Sequence, residues 1–121
     1  MQYLILIYGN ERSWVDATPE QAGPTYAEYM KYSRELAEAG VLRGGAELQP
    51  THTARTLRAE NGKIVTTDGP FAETREQLGG YYLIDVATEQ EAQMWAAKCP
   101  GVHAGSIEVR ATAAQASAGA A

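Results

Sequence analysis

Two continuous apolar segments dominate the pattern of hydrophobic and polar positions along this chain. Residues 3–8 and 81–86 consist almost entirely of large aliphatic and aromatic side chains. Runs of this length and composition are typical of strands that are buried on both faces. Apolar and polar residues alternate over 106–110 instead, which predicts a strand with one buried face.

A helical period follows each of the two apolar segments. Over residues 24–39, apolar side chains recur three and four positions apart, and Gly40 predicts the end of this helix. Tyr32 is expected on the polar flank. A capping box at residues 88–91 predicts the start of the second helix. The predicted buried face of the first helix consists of Tyr26, Tyr29, Met30, Ser33, Leu36 and Ala37.

The connections around the first helix are less regular. Residues 10–23 are predicted as a loop, in which Thr18 and Pro19 are suited to cap and open a helical turn. After the helix, residues 41–48 predict a weaker strand that Gly44-Gly45 interrupts.

A β-hairpin lies in the middle of the chain. Residues 54–58 and 63–67 flank Asn61-Gly62, and Asn-Gly accepts the positive φ angles of a tight hairpin turn. The element order is then strand–helix–strand, hairpin, strand–helix–strand. This order predicts an α+β fold, a ferredoxin-like sandwich with an inserted β-hairpin, whose two helices cover one face of an antiparallel sheet.

The other face of this sheet has no helix to cover it, although the two apolar strands require burial there. A homodimer that packs sheet against sheet would provide the burial, and twofold dimers are the commonest symmetric assembly. The predicted domain spans residues 1–110. Residues 111–121 are mostly alanine without charge, and they are predicted to form a disordered tail.

The composition is typical of one globular domain, with 121 residues, 45% hydrophobic and 21% charged. The net charge is −5 and no Lys/Arg cluster occurs, so nucleic-acid binding through a basic face is not expected. No apolar run is long enough to span a bilayer, and no targeting signature opens the sequence. These features favour a cytoplasmic protein without membrane attachment.

The residues that usually hold cofactors are scarce. Cys99 is the only cysteine, which excludes an intrachain disulfide. His52 and His103 lack the spacing of metal ligands. Phosphate-binding glycine loops and nucleophile elbows do not occur. We therefore expect neither a metal nor a cofactor.

Residues 67–82 concentrate carboxylates, a sharp turn, the single Phe and a Gly-Gly pair between apolar segments. Together with the opening residues 3–9 and the closing residues 105–110, this block makes residues 1–110 resemble the YCII-related proteins of the Asp-Gly-Pro-Phe (DGPF) subgroup. The resemblance implies a dimeric α+β barrel built from ferredoxin-like chains.

The resemblance also implies two kinds of role. Some relatives are associated with dehydrochlorination of chlorinated, hydroxylated aromatic rings, and others carry a His-Asp pair proposed as catalytic. Members of the subgroup often occur beside extracytoplasmic-function sigma factors. Here Asp68 matches the acidic partner of that pair, but the first predicted helix contains no histidine.

Asp68 is the candidate catalytic residue. In a cleft lined by Tyr and Phe, its carboxylate would act as a general base on a phenol or an enol. The alternative is a structural role, in which the side chain accepts backbone amides of the Asp-Gly-Pro turn.

Five further residues are candidates for substrate binding. Three of them also have a structural alternative: Phe71 as a loop anchor, Glu73 as a solvated helix start or a partner for Arg75, and His52 as a surface residue. Tyr81 and Tyr82 should point to opposite faces of their strand, so that at most one of them lines a given cavity.

Three functions remain open from these residues. The first is a cofactor-independent lyase or isomerase that acts on a small cyclic or aromatic acid or phenol, with Asp68 as general base. The second is a non-catalytic module that binds a small molecule or serves as an accessory protein, linked to sigma-factor regulation. In the third, the conspicuous loop serves only to shape a dimer.

Overall fold

The computed structural model describes residues 1–113, which contain six strands, three α-helices and two 3-10 helices. The tail predicted over 111–121 lies outside the described residues from position 114 onward. Within residues 1–113, no helix is long and apolar enough to cross a membrane. The strands are β1 (Gln2–Gly9), β2 (Leu42–Glu47), β3 (Arg55–Glu60), β4 (Lys63–Asp68), β5 (Gln77–Asp85) and β6 (Ser106–Ala111). The α-helices are α1 (Arg12–Val15), α2 (Pro19–Glu38) and α3 (Glu89–Ala97), and the 3-10 helices span Thr51–Thr53 and Pro100–His103.

Four strands form one antiparallel sheet in the order β2-β5-β1-β6, and β3 and β4 form a separate hairpin. The central strands β1 and β5 are the two apolar segments of the sequence. Helices α2 and α3 pack on one sheet face, where Leu36 and Trp95 are buried with Ile5. The predicted α+β class is confirmed, and the arrangement is consistent with a ferredoxin-like fold. One chain forms an open sheet and not a closed barrel, so the dimeric barrel stays a prediction.

The buried stripe of α2 is rotated from the predicted one. Tyr32, expected on the polar flank, is 2% exposed, whereas Tyr26 and Met30, expected in the core, are 54% and 67% exposed. The Tyr32 ring packs edge-on against Tyr82 with 5.3 Å between centroids, and its hydroxyl donates to the backbone oxygen of Trp95 at 2.7 Å. The polar end of Tyr32 thus has a partner inside the core, which a hydrophobic period does not reveal.

Helix α2 begins at Pro19, earlier than the start predicted at Pro24. The Thr18 hydroxyl accepts from the Gln21 amide at 3.3 Å, and the Gln21 side chain accepts from the Thr18 amide at 2.9 Å. The cap predicted at Thr18 is confirmed, but the loop predicted over 10–23 is wrong. The cap opens a helix of 20 residues that continues through Pro24, which removes one backbone hydrogen bond.

Strand β2 runs through the two glycines that were predicted to interrupt it. Gly44 and Gly45 both pair with β5. A Cβ atom at Gly45 would lie 2.7 Å from the Tyr81 carbonyl oxygen, so the close approach of the strands requires glycine there. The hairpin turn is confirmed, since Asn61 and Gly62 have φ angles of 51° and 80°.

Strand β5 begins before the predicted start and contains a β-bulge. Ile7 of β1 pairs with Gly80, whereas Tyr8 pairs with Leu78, which leaves Gly79 as the extra residue. The bulge falls at the Gly79-Gly80 pair. The bulge lets the ring of Trp14 approach the strand backbone.

The sheet face opposite the helices is apolar along its two central strands, whereas Glu108 and Arg110 of the edge strand β6 lie on the same face opposite Leu6 and Leu4. Leu4 lies opposite Leu83, and Leu6 lies opposite Tyr81. These side chains alternate with the buried Ile5 and its neighbours, so they point away from α2 and α3. All four are partly exposed to solvent.

Replacement of Leu36 by alanine should lower the free energy of unfolding by about 2–5 kcal/mol, because it leaves a cavity in the fully buried core. The matched control is Met30→Ala on the same helix, which should change it by less than about 0.5 kcal/mol because Met30 is exposed. Urea denaturation measures both values. Equal losses in the two variants would contradict the assigned buried face of α2.

Candidate functional site

Asp68 ends strand β4 on the surface of the molecule. Its side chain is 87% exposed, and Oδ1 lies 3.2 Å from Nε of Arg55, the residue opposite it in the hairpin. Gly69 turns the chain with a φ angle of 93°, and its amide donates to the Ala54 oxygen at 2.8 Å. Among residues 1–113, the partner of the Asp68 carboxylate is thus a guanidinium group and not the turn amides that the structural alternative required.

The other candidate residues do not gather around Asp68. Phe71 is 78% exposed, Glu73 is exposed, and His52 is exposed on the first 3-10 helix. Tyr81 lies on the uncovered sheet face. Tyr82 lies on the core face, as expected from their alternation.

The Tyr82 hydroxyl is part of the packed core between α2 and the sheet. It lies 2.7 Å from Oγ of Ser33. Burial raises the pKa of Tyr82, and the Ser33 hydrogen bond opposes this shift in part. A hydroxyl with this environment stays protonated at neutral pH and has a structural partner, so Tyr82 is not available to a ligand at the surface.

Residues 67–82 form the signature block, and its C-terminal end is hydrogen-bonded into a network with two other segments. The Gln77 side chain accepts from the Glu11 amide at 2.9 Å and donates to the Thr74 oxygen at 2.5 Å. The Glu11 carboxylate in turn accepts from the Thr51 amide at 3.1 Å and from its hydroxyl at 2.5 Å. These bonds fix the start of α1 against the loop that precedes β5.

Trp14 of α1 packs against strand backbone at two glycines. A Cβ atom on Gly9 would lie 3.1 Å from the Trp14 ring, and one on Gly79 would lie 3.1 Å from it as well. Larger residues at either position would push the ring away. The bulge at Gly79 and the bonds of Gln77 therefore position Trp14, and both residues belong to the signature block.

An open groove lies beside this tryptophan. It has a volume of about 430 Å³ and is lined by Trp14 and Val15 of α1, Tyr26 of α2 and residues 47–50 at the end of β2. The Tyr26 hydroxyl donates to Oε2 of Glu47 at 3.1 Å. Ligand sites of proteins are concave, of roughly 300–1,000 Å³, with aromatic walls and a few placed polar groups. The groove matches these sites in volume, aromatic walls and polar group, and it is open to solvent, with most of its lining side chains exposed.

A second depression lies between α2 and the residues after α3. Its volume is about 180 Å³, and its lining includes Lys31, Glu35, Lys98 and His103. Its charges are of both signs, and it is smaller than ordinary ligand sites. Asp68, Phe71 and the other predicted candidates line neither depression. Among residues 1–113, no group of three His, Cys, Asp or Glu side chains could hold a metal ion.

The groove residues were not among the predicted candidates. Trp14 fell in a segment predicted as a loop, and Tyr26 was assigned to the core. Glu47 lies 21 positions from Tyr26 in the sequence. The available signal was the occurrence of a tryptophan in a polar segment, since an aromatic side chain there needs a surface to pack on.

Comparison with known proteins gives two matches. The profile of the YCII-related domain matches residues 1–113. An uncharacterized protein of Rhizobium meliloti (strain 1021) is 39% identical over 112 residues, which cover 91% of this chain and 90% of the relative.

Asp68→Asn should lower the free energy of unfolding by less than about 1 kcal/mol, because ion pairs between exposed groups contribute little. Urea denaturation of the variant and of Glu60→Gln, an exposed carboxylate of the same hairpin, measures the effect against a matched control. A loss above about 2 kcal/mol for Asp68→Asn alone would mean that the carboxylate has a larger structural role than its exposure indicates.

Proposed function

The chain belongs to the YCII-related domain family, and on that premise we propose that it is a non-catalytic binding module. It acts as a homodimer and holds a small organic molecule in the groove formed by Trp14, Tyr26 and Glu47. The groove is the main support for this proposal, because it combines the volume of a ligand site with two aromatic side chains and an oriented carboxylate.

The general-base hypothesis for Asp68 has less support. A catalytic carboxylate works best when a cleft removes water and holds the substrate within hydrogen-bond distance. Asp68 is highly exposed and is paired with Arg55. A lyase or isomerase mechanism at Asp68 would need a cleft that one chain does not supply among its described residues.

The proposal of a homodimer is supported by the uncovered sheet face. Leu4, Leu6, Tyr81 and Leu83 form a contiguous apolar surface on the two central strands. Two such faces packed together would bury these side chains and give the dimeric α+β barrel that the resemblance implies.

The hairpin β3–β4 supports the same assembly. Leu57 and Ile64 are 61% and 67% exposed on it. A two-stranded hairpin is marginally stable without further packing, and a second copy of the chain would supply a surface for these side chains.

We also propose that the chain is a member of the DGPF subgroup. The tetrapeptide at residues 68–71 supports this assignment. A module that binds without chemistry fits the accessory role beside a sigma factor that the resemblance implies for this subgroup.

Light scattering of the wild-type protein at micromolar concentration should give twice the chain mass of 13.0 kDa. Ala46 is exposed and lies opposite Tyr81 on the uncovered face. Ala46→Glu should therefore weaken the dimer by at least about tenfold in dissociation constant, because it places an unpaired charge in the contact. The matched control Ala37→Glu on α2 should stay dimeric. A monomeric wild-type protein, or an Ala46→Glu variant that dissociates over the same concentration range as the wild type, would contradict sheet-to-sheet packing.

A panel of small acids, amines and neutral aromatic compounds should contain members that bind the groove. Their titration should shift the indole N–H signal of Trp14 in nuclear magnetic resonance spectra, whereas the signal of the buried Trp95 should stay constant. Trp14→Phe assigns the signal by removing it, and isothermal titration calorimetry of this variant should show weaker binding.

The same titrations of Asp68→Asn separate the two functional hypotheses. Binding should persist in this variant if the groove is the site. If Asp68→Asn abolishes binding while Trp14→Phe preserves it, the proposal is wrong and the hairpin base is the site.

A further inference from the structure

We infer that the ligand of the groove is an organic cation, a small ammonium compound with an apolar body. Its charge would face the carboxylate of Glu47, and its apolar part would lie against Trp14 and Tyr26. This inference rests on the proposed binding function and adds the chemical class of the ligand.

The groove carries charge of one sign only. Its lining contains one carboxylate, Glu47, and no Lys, Arg or His side chain. An organic acid bound there would meet a negative charge without a cation to offset it, which costs binding free energy. The groove therefore disfavours the cyclic or aromatic acids expected from the sequence and favours a positively charged ligand.

Glu47 has no counter-ion among residues 1–113. Over the described part of the chain, no nitrogen of Lys, Arg or His lies within 4.0 Å of its carboxylate, in contrast to Asp68, Asp85 and Glu108. Its hydrogen-bond donor is the Tyr26 hydroxyl, at 3.1 Å from Oε2. A carboxylate accepts several hydrogen bonds, so most of its capacity stays open to a ligand.

A hydrogen bond from the Tyr26 hydroxyl orients the Glu47 carboxylate. The Tyr26 hydroxyl is protonated at neutral pH, as tyrosine ordinarily is, and the bond to Glu47 raises its pKa further. The donor also fixes where the negative charge lies relative to the Tyr26 ring. A cation that approaches Glu47 consequently comes close to the hydroxyl end of the Tyr26 side chain.

The side chain of Trp14 forms an aromatic wall of the groove. The glycines at positions 9 and 79 let the ring of Trp14 lie against the strands. Tryptophan is the side chain that attracts a cation most strongly through its ring face, and quaternary ammonium groups are bound in this way. Val15 and Leu48 add exposed apolar surface beside the rings, which suits the carbon atoms of such a ligand.

The test uses choline and 3,3-dimethylbutan-1-ol, a neutral molecule of the same shape. Titration of each compound into wild-type protein, followed at the Trp14 indole signal, should give a dissociation constant at least about tenfold lower for choline, because charge and ring attraction act only on the cation. Glu47→Gln should weaken choline binding by about tenfold and leave the neutral compound unaffected. Glu38→Gln, an exposed carboxylate outside the groove, is the matched control and should bind choline like the wild type.

Two results would overturn the inference while the binding function stands. One is equal affinity of wild-type protein for the charged and the neutral compound. The other is unchanged choline affinity in Glu47→Gln, provided that its circular dichroism spectrum matches that of the wild type. Tyr26→Phe removes the hydroxyl and keeps the ring. This variant should still prefer choline but should bind it about two- to fivefold more weakly. That result supports the orienting role of the hydroxyl. If neither compound shifts the Trp14 signal and no member of the panel does so, the groove and the proposed function both fail.

Discussion

The central strands β1 and β5 are apolar on both faces, but the helices of residues 1–113 cover one face only. Helices α2 and α3 bury Ile5 and Ile84 completely. Leu6 and Tyr81 on the opposite face remain partly in water. Full burial of one large apolar side chain contributes about 1.5–3 kcal/mol, so several such residues on one surface leave a substantial free energy available for association. The proposed homodimer follows from this asymmetry and from the exposed Leu57 and Ile64 side chains of the hairpin.

The glycines of the sheet decide where side chains from other segments can lie. Gly45 lets β2 approach β5, and the bulge at Gly79 makes room for the ring of Trp14. The hydrogen bond from the Glu11 amide to the Gln77 side chain then fixes α1 in this position. Two residues of the signature block, Gln77 and Gly79, thus support the groove, although neither lines it. The block contributes to the candidate site through backbone geometry more than through its carboxylates.

The parts of the fold that local chemistry determines were predictable. The apolar segments formed the central strands, the Asn61-Gly62 turn formed the hairpin, and the Thr18 cap opened a helix, because each depends on residues adjacent in sequence. The side of α2 that faces the core was not predictable. The hydroxyl of the buried Tyr32 donates a hydrogen bond to the carbonyl oxygen of Trp95, which is far away in the sequence. The groove was missed for the same reason, because Trp14 and its neighbours come from three separate segments.

The two candidate sites differ in what they need to be complete. The groove has its walls, its carboxylate and its orienting hydroxyl within one chain. Asp68 has an ion pair with Arg55 on an exposed hairpin, and Phe71 beside it is exposed as well. Only a surface from outside the described chain would turn this region into a cleft that excludes water. The general-base hypothesis therefore depends on the dimer, whereas ligand binding in the groove does not, and this difference makes binding the better supported function.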